Sequence, residues 1–259
     1  MMLKKLFWLL MLSLALPAQA AFMCEADLQY GLIVNDRHIR VIEDTRTLYQ
    51  INDTEQLIVR GDWIKLDAVA TSHLQELAQG LRYAVPKVIL LASEGVDLAI
   101  GTIDHVYVGL VGSEHDSYQR LQDALWKVRT KVKTKFIRAG NSYYIGPRSL
   151  ENVDELMDPE LEEEIELALG TSVGGILTAI GGLASEGDTS LERKMEDLST
   201  RLETMGAEIE RRIAPQADTL RKKAEWFCNE IKRLDAIEES LRERVPELKA
   251  YDLIVTGKS

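Results

Sequence analysis

Between residues 27 and 66 apolar side chains come in short runs with period two, separated by polar pairs that favour tight turns. The runs cover residues 28–34, 37–43, 47–51, 56–59 and 62–66, and the breaks hold Asn35-Asp36, Asp44-Thr45, Asn52-Asp53 and Arg60-Gly61-Asp62. That spacing predicts an antiparallel meander. So few strands cannot close a core by themselves, so Val41, Leu48, Leu57, Trp63 and Ile64 are expected to lie against helices.

After Leu66 the period lengthens to between three and four. One apolar stripe runs from Leu74 through Leu81, Val88 and Ala99 to Leu110, opened by Ser72 and Gln75 as a capping box. Pro86 predicts a kink or a break within it near Val85. A second amphipathic helix follows Gly112-Ser113, with Tyr118, Leu121, Leu125, Val128, Val132 and Phe136 on one face. Residues 138–147 then read as one strand able to join the first sheet, and an acidic helix is expected over 150–169. From Leu191 heptad-like spacing resumes through Met195, Leu198, Leu202, Met205 and Ile209, then from Leu220 to Leu248, as in a bundle or coiled coil. Pro215 is expected to divide it into two arms, and Pro246 to end or bend the second. Whether the arms close on each other or on a second copy stays open at this level.

The fold class is therefore α+β, mostly α: a small N-terminal antiparallel sheet packed on a bundle of long amphipathic helices. The expected organisation is a β region over 21–66, a helical region over 67–137, a possible added strand over 138–147 and a helical bundle or coiled coil over 148–259.

Residues 1–20 carry a different pattern: Lys4 and Lys5, an apolar run from Leu6 to Leu16, then Ala18-Gln19-Ala20. This is the layout of a cleaved export signal, too short in its apolar part to span a bilayer. An uncleaved anchor and a lipoprotein are the alternatives, but Met23 stands before Cys24 where lipid attachment needs a small residue. Export makes pairing of Cys24 with Cys228 the expectation, against two separate buried thiols, because oxidising compartments favour disulfides. No Cys-x-x-Cys spacing suggests redox catalysis.

The net charge is −11, and −13 once Lys4 and Lys5 leave with the signal, which disfavours nucleic acid and anionic lipid surfaces as partners. Among the four histidines, His38, His73, His105 and His115, no pair has the i, i+4 spacing of a helical metal site. Asp104-His105 and Glu114-His115-Asp116 place neighbours on different sides of a helix, and Glu162-Glu163-Glu164 reads as a hydrated face. No nucleophile elbow or phosphate loop occurs. Gly170 and Gly174, with Gly175, Gly181 and Gly182, lie in or beside an uncharged run over 173–183, read as a close helix crossing or a ligand surface. Catalytic residues, cofactor and metal are expected to be none.

The order Cys24, Thr47-Leu48-Tyr49, Leu57-Ile58-Val59-Arg60-Gly61-Asp62, Leu66-Asp67, Tyr83, Val85-Pro86, Gly174-Gly175-Ile176-Leu177 and Cys228 resembles the YggN-like family of exported gammaproteobacterial proteins of unknown function. The resemblance implies a Gram-negative periplasmic setting and supplies no site residues. The functional expectation is a non-catalytic helical interaction or assembly protein of the cell envelope, with protein partners and possible self-association. The alternative is a carrier of a small apolar ligand or lipid.

Overall fold

The computed structural model describes residues 24–114, 116–138, 142–147 and 188–257, together with Glu163 and Leu167. Strands β1 (Ala26–Leu28), β2 (Gly31–Val34), β3 (His38–Glu43), β4 (Arg46–Asn52), β5 (Gln56–Val59) and β6 (Asp62–Ile64) precede helices α1 (Ala68–Leu110) and α2 (Asp116–Phe136). Strands β7 (Ile137–Arg138) and β8 (Ser142–Ile145) follow, then helices α3 (Asp188–Glu208) and α4 (Ala214–Arg244), and last β9 (Ile254–Thr256).

Among the described residues the main sheet is antiparallel and seven-stranded, in the order β6-β5-β4-β3-β2-β8-β7. Its register lines up Ile64, Leu57, Ile51, Ile39, Val34, Tyr143 and Ile137 in one row across all the strands. A parallel row joins Val59, Tyr49, Val41, Leu32 and Ile145. With period two, these rows share one face, and most of their side chains are buried against α1 and the C-terminal end of α4. The turn chemistry shows in the backbone: Asp44, Asp53, Arg60 and Gly61 have positive φ, and Arg60-Gly61 makes a two-residue hairpin whose left-handed pair matches strand twist.

The expectation of a small N-terminal sheet is thus corrected: β8 and β7, from the middle of the chain, extend it beyond β2. Residues 28–34 are not one strand either. The chain bends at Gln29 and Tyr30, so β1 leaves the main sheet and pairs antiparallel with β9 in a second, two-stranded sheet. Gly31 permits the tight entry into β2, since a Cβ there would lie 2.8 Å from the Ile42 side chain.

Helix α1 runs unbroken for 43 residues, about 65 Å. Its cap is Asp67, whose carboxylate accepts from the Ala70 N–H, rather than Ser72, which lies inside the helix. Pro86 sits within α1, and the expected break does not occur, because Leu81, Ala84, Val85 and Ile89 are buried on either side of it. Pro215 likewise fails to separate two arms. A π-helical segment, Ile209–Ile213, joins α3 to α4, with the Ala214 N–H bonded five residues back to the Ile209 carbonyl. The wider turn accommodates a proline that offers no N–H to Arg211.

This rod lies antiparallel to α1, with Gly80 against Leu234, Tyr83 against Trp226, Glu94 paired to Lys223, His105 to Glu208 and Gly109 against Met205. On another side of α1, helix α2 returns toward the sheet, tied by Tyr107 to Ser117, by Asp104 to Tyr118 and by Asp97 to Arg129. Its end, Val132 and Phe136, enters the main core. Helix α4 stops before Pro246, with Val245 in the extended conformation.

Candidate functional site

The helices reach past the main core, and there the packing is thinner. Tyr107, Leu121 and Leu125 form a small satellite core between α1 and α2. On the rod side of α1, an open groove of about 870 Å³ lies between residues 94–108 and the α3–α4 junction. Leu98, Val108, Ile213 and Leu220 give it apolar walls, and Gly101 faces open space in it: a Cβ there would meet nothing within 4 Å. Each neighbouring turn of helix adds a charged rim.

Most of that rim is engaged. Lys223 bonds Glu94 at 2.9 Å, Arg129 bonds Asp97 at 2.6 Å, and His105 Nε2 lies 3.1 Å from Glu208 Oε2. Asp104 accepts from the Tyr118 hydroxyl and the Gln122 amide, and that bond, with burial, raises the Tyr118 pKa. The pairs are partly exposed, so each contributes little to stability; their effect is to fix the walls. Asp104 and His105 therefore face different neighbours, α2 and α3 respectively. The π-helical segment forms the far wall through Arg212 and Ile213. Such one-turn departures from the α-helix often mark functional sites.

Beside the groove, Tyr83 and Trp226 meet edge to face at 5.9 Å, and Lys87 Nζ sits 3.2 Å above the Tyr83 ring. Trp226 keeps 48% and Leu90 57% of their surface exposed. Apolar side chains of this size concentrated along one seam are the usual mark of a contact surface.

A second constellation lies at the other end of α4. Asp235, Glu238 and Asp252 bring carboxylate oxygens within 4.8 Å of one another. Each is already held by protein: Glu238 accepts from the Leu253 and Ile254 N–H groups, Asp235 from the Thr256 hydroxyl, and Asp252 from Arg242. Burial pushes the Glu238 carboxyl up to about 8, against the two backbone donors that lower it. Tyr49, buried beside it, is raised well above its ordinary value by burial and by Glu238. The arrangement clamps the last strand onto α4.

Cys24 and Cys228 form a disulfide, with Cα atoms 5.6 Å apart and a sequence separation of 204. Gly170, Gly174, Gly175, Gly181 and Gly182 lie outside the described residues, as do residues 1–20, His115 and, apart from helical Glu163 and Leu167, the helix expected over 150–169. Sequence reading missed the groove, because its two walls are about a hundred residues apart in the chain and only Pro215 hinted at a departure from regular helix. It also missed the Glu238 clamp, whose partners lie beyond the end of the helix. Among the described residues no helix is long and apolar enough to cross a membrane.

No curated protein and no solved structure matches the chain. Residues 24–254, which take in every strand of the main sheet, the disulfide, the groove and the Glu238 bonds to residues 253 and 254, match the model described as "Protein of unknown function (DUF2884)", and the chain belongs to that family.

Proposed function

We propose that the chain is an exported periplasmic protein of the YggN-like kind that works without catalysis, as an interaction or assembly protein of the Gram-negative envelope. In this reading the groove beside the π-helical segment holds an apolar stretch of a partner protein. The observation that carries it is the apolar-walled groove next to the exposed Tyr83, Leu90 and Trp226 seam. A helix or extended segment with two or three apolar anchors fits such a trough, and the charged rim sets its direction. The signal pattern of residues 1–20 and the Cys24–Cys228 bond support export.

Photoreactive side chains placed at Val108 and at Leu220 test this in intact cells. Crosslinks to other envelope proteins are expected from both, and none from Arg46 on an exposed hairpin turn. Recovery of only free monomer from Val108 and Leu220 refutes it. The groove volume favours a second reading, a carrier of a small apolar molecule. Native mass spectrometry of gently purified protein separates the two: a discrete adduct supports the carrier, and a clean apo mass removes it.

A further inference from the structure

The face of the main sheet turned away from the helices carries a row of its own. Strand register joins Trp63 on β6 to Ile58 on β5, Gln50 on β4, Arg40 on β3, Ile33 on β2 and Tyr144 on β8. The adjacent row is polar: Gln56 on β5, Asn52 on β4 and His38 on β3. His38 Nδ1 lies 3.0 Å from Asn52 Oδ1, which also accepts from Gln50, so the imidazole and two amides are locked together.

Two members of the first row stand out. Trp63 leaves 76% of its surface in water, on an edge strand where nothing in the fold requires an indole. Arg40 is exposed in the middle of the sheet and, among the described residues, has no carboxylate partner in a chain of net charge −11. Trp63 and Arg40 are three strand spacings apart, about 14 Å. Between them lie one aliphatic and one amide side chain.

That combination limits the ligand. A single guanidinium cannot neutralise a run of phosphates, which excludes nucleic acid. A partner helix would need an apolar stripe where Gln50 and Arg40 stand. A peptide added as a strand would bond the β6 edge and leave the row unused. A sugar chain suits all of it: the flat C–H face of a pyranose stacks on an indole, its hydroxyls bond amides and imidazole, and a carboxylate takes a guanidinium in paired hydrogen bonds.

We propose that the outer sheet row from Trp63 to Arg40 binds an acidic oligosaccharide, with Trp63 as the stacking platform and Arg40 as the carboxylate anchor. The site is separate from the helical groove. Isothermal titration of the mature, disulfide-bonded protein with trigalacturonic acid tests it, with maltotriose as the neutral control. Saturable binding of the acidic trimer is expected, weakened about tenfold or more by Arg40→Gln and by Trp63→Ala. Both side chains are exposed, so thermal unfolding midpoints stay at the wild-type value, and Gly101→Leu in the groove leaves sugar binding unchanged. Absence of saturable binding at millimolar trimer, equal binding of maltotriose, or wild-type binding by both row variants overturns the proposal.

Discussion

Glu238 turns the C-terminal clamp into a measurable dependence of stability on pH. The side chain is 2% exposed, its two oxygens accept from Leu253 N at 2.7 Å and Ile254 N at 2.9 Å, and burial raises its pKa from 4.5 to about 8. Between those two values the folded protein keeps a proton that the unfolded chain has released. Stability therefore falls as pH rises, by about 1.4 kcal/mol per unit and about 5 kcal/mol over the whole window. Glu238→Gln keeps the shape and cannot ionise, but it turns an amide donor toward one of the two backbone N–H groups. That costs about 1–3 kcal/mol at pH 5. Urea unfolding at pH 5, 6, 7 and 8 should show the wild type losing stability relative to the variant at each step, with the curves crossing near neutrality. Parallel curves would refute a buried, proton-retaining carboxyl at this position.

The helix packing makes its own forecasts. Gly80→Ala places a Cβ 2.2 Å from Leu234 Cδ2 and should destabilise by about 1–3 kcal/mol in urea titration, whereas Gly95→Ala, with nothing within 4 Å, should stabilise by up to about 1 kcal/mol. Cys24→Ser opens a loop of 204 residues and should lower stability by up to about 5 kcal/mol, a loss that reductant reproduces in the wild type but not in the variant. Gly101→Leu fills open space on the groove wall, so it should leave the unfolding midpoint unchanged or raised while abolishing the crosslinks expected from Leu220.

The strands were legible where local chemistry decides them. Asn35-Asp36, Asp44-Thr45, Asn52-Asp53 and Arg60-Gly61 mark turns that the structure places between β2 and β6, and three of these pairs include a residue with positive φ. Legibility fails where distant contacts override a local rule. The apolar run over 28–34 reads as one strand, yet β1 finds its partner in β9 near the other end of the chain. Pro86 and Pro215 are helix breakers by local rule, but buried neighbours hold α1 continuous through one, and a π turn absorbs the other. Glu238, beside Glu239, looks like an ordinary hydrated charge until residues 253–254 fold onto it. The outer sheet row exists only once six strands are in register, so periodicity could place Trp63 in a strand but could not set it in line with Arg40.

The β1–β9 pairing and the sulfur link between Cys24 and Cys228 impose an order of events on biogenesis. Synthesis runs from Cys24 toward Cys228, so the first thiol waits through about two hundred further residues before its partner exists. Strand β1 waits longer still, with its backbone groups unmet until residues 254–256 leave the ribosome. A chain without residues 254–256 leaves the exposed backbone groups of β1 unpaired and removes Ile254 from the core beneath the main sheet, so closure of the front end reports that the C-terminal strand has arrived.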